Sequence, residues 1–153
     1  MTIALSYVDA VESDFLLLTE TAIASKKYWG YSEELLNLWK HDLEISKEYI
    51  QKNKVVKVYS QDGFIGFFGL KREKTGIIEI DHLWIKPNEI KKGYGRQIFA
   101  YIRNYLLSKG EKVIRLVAEP NAKEYYNKMG GRIIGQIESK LSGRFLDIYE
   151  YVL

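Results

Sequence analysis

The sequence contains no cysteine. Disulfides, cysteine-rich zinc sites and thiolate nucleophiles are therefore excluded. Histidine is scarce too: His41 and His82 are the only two, too few for a dedicated metal site. No apolar run approaches the roughly 20 residues that span a bilayer. The opening stretch MTIALSYVDAVESD lacks the basic start and long apolar core of a secretory leader. Nor is either sign of charge in large excess. A net charge of +3 is too small to argue for nucleic acid. The expectation is a soluble, cytoplasmic protein with no metal, no membrane and no nucleic acid among its partners.

What is present describes one globular unit. The 153 residues are 46% hydrophobic and 28% charged, and a chain of this length buries roughly 70% of its unfolded surface. Residues 2–8 read as a first strand. Asp14 is placed to cap a helix in which Phe15, Leu18 and Ala22 recur at helical spacing. After an aromatic turn at Gly30, Ser32 with Glu33 and Glu34 starts a second helix, with Leu35, Leu38 and Trp39 as its buried stripe. Strands at 55–60 and 64–71 flank Gln61, Asp62 and Gly63, a hairpin signal. Thr75 and Gly76 turn into a long apolar strand, 77–85. Ile98, Ile102, Tyr105 and Leu106 mark an amphipathic helix stopped by Lys109 and Gly110. Strand 113–118, a short helix opened by Asn121, and a strand pair ending in 145–153 complete the chain. With no repeat or linker, residues 1–153 form a single α/β domain with a mixed sheet.

The sharpest local feature is Lys91, Lys92, Gly93, Tyr94, Gly95 and Arg96, between a strand end and a helix start. Glycines there let the backbone turn tightly and bring its N–H groups close to a ligand. The helix N-terminus adds partial positive charge, which suits a phosphate or pyrophosphate. A plain connecting loop with solvated lysines is the alternative. The loop is neither a dinucleotide fingerprint, which needs a third glycine and a downstream acid, nor a Walker loop, which needs Gly-Lys-Ser/Thr.

The stretch IEIDHLWIKPNEIKKGYGRQIFAYI (78–102) resembles the acetyl-coenzyme A motif of the GNAT superfamily of N-acetyltransferases. NAKEYYNKMGG (121–131) resembles the second motif of that superfamily, loosely N-x-x-A-x-x-x-Tyr-x-K-x-Gly. Three positions depart from the pattern: Ile90 stands where glutamine or arginine is usual, Gly131 where an aromatic is usual, and Ala122 is offset to directly follow Asn121. The resemblance implies a mixed, mostly antiparallel sheet of about seven strands, splayed between strands 4 and 5, with about four helices. Strands 4 and 5 correspond to 77–85 and 113–118. It further implies that acetyl-CoA is the donor, its pantetheine arm pairing with backbone at Leu83, Trp84 and Ile85. Its diphosphate would rest on the N–H groups of 92–96, with Lys91, Asn121 and Lys128 as further cofactor contacts.

Acetyl transfer to an amine requires loss of the ammonium proton, polarisation of the thioester carbonyl and stabilisation of the departing thiolate. Without cysteine, direct attack is simpler than a covalent acyl-enzyme. Glu79, fourteen positions before Gly93, matches the catalytic glutamate of the histone-acetylating branch. Flanked by Ile78 and Ile80, its carboxyl can have a raised pKa; a structural ion pair is the alternative. Asp81 is the rival base, since alternation puts it on the same face, with His82 facing the other way. Tyr126 matches the motif tyrosine. Its phenol, with a pKa of about 10, can donate a proton or a hydrogen bond to the departing thiolate, whose acid has a pKa of about 8.5. Tyr125 or Tyr126 can instead simply pack in the core.

Trp29, Tyr31 and His82 are the candidate acceptor contacts, within an aromatic-rich set that includes Tyr28, Trp39 and Trp84. Aromatic faces hold cations, which suits a small-molecule amine such as a polyamine or amino sugar; core packing is the other reading. A protein or peptide acetyltransferase and a non-catalytic acyl-CoA-binding module remain alternatives. Many members of the superfamily are dimers, so a homodimer is a possible assembly.

Overall fold

The structure, a computed structural model, describes residues 4–118, 120–139 and 144–153. Seven strands form one mixed sheet in the order β1-β2-β3-β4-β5-β7-β6. They are β1 (Ser6–Asp9), β2 (Lys54–Ser60), β3 (Gly63–Arg72), β4 (Ile78–Ile85), β5 (Val113–Val117), β6 (Arg132–Glu138) and β7 (Phe145–Val152). Six α-helices are found among the described residues: α1 (Phe15–Lys27), α2 (Glu33–Leu38), α3 (Lys40–Leu43), α4 (Lys47–Lys52), α5 (Tyr94–Ser108) and α6 (Lys123–Lys128). None is long and apolar enough to cross a membrane. The chain divides into two compact units, one of residues 1–70 with 82–100, the other of residues 71–81 with 101–153.

In the first unit, α1 buries Leu18 and Ala22 completely, as its spacing predicts. They join Trp39, Leu43, Ile45, Ile50, Val55 and Phe67 in one apolar cluster. Asp14 stands at the cap position of α1 but does not cap it through its side chain. Its carboxylate instead accepts from the Val11 N–H and meets the Lys57 ammonium at 3.1 Å. Ser32 does cap α2, accepting from the Leu35 N–H. The buried positions of that segment are Leu36 and Trp39, while Leu38 is 42% exposed. The helix is only six residues long and breaks at Trp39 (φ −93°, ψ 4°), so a stripe drawn through 35, 38 and 39 assumes a helix that does not continue. The expected four helices become six because α3 and α4 follow. Ser46 caps α4 by accepting from the Tyr49 N–H, a signal that was there to read.

Strand β3 is buried along most of its length, and two glycines make that possible. A Cβ on Gly66 would stand 2.3 Å from the Trp84 carbonyl oxygen; one on Gly69 would stand 2.8 Å from the Tyr49 hydroxyl. The β2–β3 hairpin closes with Ser60 opposite Gly63, and Gly63 carries the positive φ, 123°. The first strand begins later than the sequence suggests, at Ser6; residues 2 and 3 of that expectation lie outside the described residues.

In the second unit, β4 runs parallel to β5 with Ile78, Glu79 and Ile80 opposite Ile114, Arg115 and Leu116. No pairing with β5 beyond Ile80 is found among the described residues. Strand β7 lies between β5 and β6, antiparallel to both. Ile114, Leu116, Tyr149 and Tyr151 are buried, so Glu79, Arg115 and Glu150 point to the opposite, less buried face. Ile102 and Leu106 bury the inner side of α5. That helix ends at Gly110 (φ 82°), with the Glu111 N–H reaching the Leu106 carbonyl at 3.0 Å, a Schellman closure. Asn121 does not open α6 as its cap: it lies in a single 3-10 turn (Pro120–Ala122), and Ala122 occupies the cap position without a side-chain bond.

Candidate active site

The glycine loop leads directly into α5. Lys91 (φ 70°) and Gly93 (φ 82°) both have left-handed backbone, which turns the chain sharply before the first helical residue, Tyr94. A Cβ built on Gly93 would meet nothing within 4 Å, so open space lies beside the loop where its backbone is most bare. Tyr94 is buried, 4% exposed, and anchors the loop. Lys92 donates to Glu89 at 3.0 Å, which pushes its pKa up. Lys91 and Arg96 are exposed and make no ion pair among the described residues. Two cations outside any ion pair among the described residues thus stand beside a helix N-terminus, an arrangement whose charge suits an anion. Leu83, Trp84 and Ile85 are half-buried on β4.

The carboxylates converge in the second unit. Glu79 is half-buried and hydrogen-bonded to the Glu73 carboxyl. Glu73 is fixed by the turn between β3 and β4, where its N–H reaches the Ile77 carbonyl and its carbonyl accepts from Gly76, both at 2.9 Å. Burial, the Glu73 hydrogen bond and the charges of Asp81 and Glu73 push the Glu79 carboxyl up to about 8, against the pull of Lys71. A carboxylic acid that loses its proton near neutrality can take one from an ammonium. Asp81 lies on the same face of β4, as alternation predicts, and acts on Glu79 by its charge.

The cation nearest in register is directed elsewhere. Arg115, opposite Glu79, donates its Nε–H to Glu150 Oε2 at 2.9 Å. Arg132 adds a longer contact to the other oxygen, 3.4 Å. A row of alternating charge thus crosses β4, β5, β7 and β6.

Tyr126 is half-buried on α6, its ring 5.2 Å from Tyr125 and 5.9 Å from Tyr149. Two tyrosines of β7 fasten this helix: Tyr149 donates to Asn127 Oδ1 at 2.6 Å, and Tyr151 donates to the Tyr126 carbonyl at 2.8 Å. Burial, with Tyr126 and Tyr149 close by, pushes the Tyr151 phenol up, so it stays a donor. The same rings explain Gly131, where an aromatic is usual: a Cβ there would stand 2.6 Å from the Tyr151 ring. Asn121 and Lys128 are exposed.

The acceptor candidates separate into three places. Trp29 is exposed beside Tyr28, their rings 5.1 Å apart. Tyr31 packs edge-on to Trp39 at 4.9 Å, and the Lys26 ammonium sits over both rings, 4.9 and 4.4 Å from their centres. His82 is buried, ringed by Tyr49 and Phe67, and its Nδ1 accepts from the Trp84 indole at 3.0 Å. That bond requires a lone pair on Nδ1. Sequence reasoning missed Glu73, Arg115, Glu150, Tyr149 and Tyr151. The turn before β4 places Glu73, and strand order and register place the others.

A family model described as the acetyltransferase (GNAT) domain matches residues 30–141. No curated protein matches the sequence. Among solved structures, the chain is similar to the PaiA N-acetyltransferase of Thermoplasma acidophilum in complex with coenzyme A, at 21% identity and a TM-score of 0.76, covering 99% of this chain and 100% of that one. A GCN5-related N-acetyltransferase of Rhodopseudomonas palustris matches at 20% identity and a TM-score of 0.78, covering 100% and 97%. An acetyltransferase of Thermus thermophilus matches at 18% identity and a TM-score of 0.71, covering 99% and 98%.

Proposed function

Because the chain belongs to the acetyltransferase (GNAT) domain family, we propose that it carries the acetyl group of acetyl-CoA to the nitrogen of a small primary amine by direct attack. The observation that carries this reading is Glu79, a carboxyl held at about 8 by burial and by its acidic neighbours. The donor is supported by the loop at 91–96, where the space beside Gly93 and the cations of Lys91 and Arg96 fit a diphosphate. The coenzyme A complex of the Thermoplasma enzyme supports the same choice.

Acetyl-CoA supplies the acyl group already activated as a thioester. In this reading Glu79 takes the proton of the acceptor ammonium, leaving a lone pair on nitrogen. That nitrogen forms the new C–N bond as the C–S bond breaks. The Tyr126 phenol gives its proton to the departing sulfur and is reprotonated by the second proton that the nitrogen sheds as the amide forms. The products are an acetamide, free coenzyme A as its thiol and the one proton held on Glu79, which passes to solvent. Exposed Trp29 supplies a face suited to a cationic acceptor, while the Tyr31 and Trp39 rings are already taken by the Lys26 ammonium.

The test is Glu79→Gln, assayed by thiol release with spermidine, glucosamine and a lysine-containing peptide as acceptors. Turnover is expected to fall by about 10²–10⁴-fold, the worth of a positioned general base, with affinity for acetyl-CoA little changed. In the wild type, turnover should rise with pH to a plateau above about 8, as Glu79 becomes the carboxylate. Unchanged turnover of Glu79→Gln at every pH would remove Glu79 as the base.

A further inference from the structure

The charge row on the less buried face of the second unit contains an arrangement that chemistry alone would not favour. Glu79 faces Arg115 directly across a parallel strand pair, and adjacent strands lie about 4.8 Å apart, well within the reach of a guanidinium. Yet Arg115 turns to the other side, to Glu150 on β7, its register partner there. The side chains of this pair are 29% and 13% exposed, so the contact is sheltered from solvent and competes well. The charged groups facing Glu79 are Glu73 from the turn before β4, Asp81 on β4 itself, Lys71 at the end of β3 and, in register, Arg115 on β5. Three of these are acids or point away. Lys71, the remaining cation, is exposed.

We propose that Glu150 is a positioning residue of the acetyl-transfer site, holding the Arg115 guanidinium away from Glu79 so that Glu79 is left without an ion-pair partner. This rests on the reading of Glu79 as the base. Its physical content is simple. A carboxylate paired with arginine is stabilised in its charged form and becomes a poor proton acceptor. By occupying Arg115, Glu150 keeps Glu79 basic. Arg132, 3.4 Å from the other Glu150 oxygen, adds a second cation to the same carboxylate.

The test uses the full chain with ¹³C-labelled glutamate carboxyls, the Glu79 signal being assigned by its loss in Glu79→Gln. In Glu150→Gln, freed Arg115 is expected to swing to Glu79 and lower its titration midpoint by about one pH unit or more. Adding Arg115→Gln to that variant should return the midpoint to the wild-type position. Arg115→Gln alone should leave it in place, because in the native arrangement the guanidinium is committed to Glu150. An unchanged midpoint in a folded Glu150→Gln protein would overturn the proposal, as would a marked shift in Arg115→Gln alone. The acid limb of turnover with spermidine should follow the carboxyl downward in Glu150→Gln. The two readings fail separately: full turnover in Glu79→Gln defeats Glu79 as the base, while the carboxyl titration still decides whether Glu150 restrains Arg115.

Discussion

Folding raises the proton affinity of one side chain, Glu79, and this affects stability as well as chemistry. Its ordinary value of 4.5 becomes about 8 in the folded chain. Between those values the folded state holds a proton that the unfolded state has lost. The resulting stabilisation is full below about pH 4.5 and disappears as pH rises through about 8. Glu79→Gln has no such proton to lose. Its denaturation midpoint in urea should therefore improve relative to the wild type between about pH 5 and about pH 9. Midpoints that change in parallel over that range would contradict the burial and acidic surroundings assigned to Glu79. Much of this residue was legible beforehand: an acid between Ile78 and Ile80, with Asp81 two positions on, reads as a half-buried carboxylate pair. Glu73, Arg115 and Glu150 were not legible, because their proximity depends on a turn conformation and on β7 entering the sheet beside β5.

The elements themselves follow local signals closely wherever those signals are strong. The hairpin at Gln61 and Asp62, the C-terminal closure of α5 at Gly110 and the serine cap of α2 all stand where turn and cap chemistry place them. Short helices are where local reasoning fails. Segments of four to six residues present too little periodicity to fix their phase, so Leu36 rather than Leu38 is buried and α3 and α4 go unforeseen. Glycines inside β3 were equally silent about their purpose. Gly66 is the strongest case, because the atom its Cβ would strike at 2.3 Å is the backbone oxygen of Trp84, which cannot rotate away. Gly66→Ala is expected to destabilise the protein by about 1–3 kcal/mol through overpacking, read as a lower midpoint in chemical denaturation. A Gly66→Ala protein as stable as the wild type would show that β3 and β4 do not approach as closely as described.

For the molecule as a whole, the fold class is that of the resembled superfamily, with seven strands in one mixed sheet. The order β5-β7-β6 could not be read from the strands alone, since alternation says which face a residue takes but not which strand lies beside it. The sharp turn at 91–96 was legible because it demands left-handed backbone at Gly93 (φ 82°), and glycine records that demand in the sequence. The acceptor was not, because aromatic residues serve core and pocket alike: Trp39 is core, Trp29 is exposed, and composition does not separate them. The central claim is that acetyl-CoA binds this chain through the loop at 91–96. The most direct measurement is a calorimetric titration of the purified wild type and of Gly93→Val with acetyl-CoA, each first shown to be folded. The expected result is saturable one-site binding by the wild type in the micromolar range, about −8 kcal/mol, and none by Gly93→Val, whose side chain would fill the open space beside the loop. Absence of binding by the folded wild type, or undiminished binding by folded Gly93→Val, would contradict it.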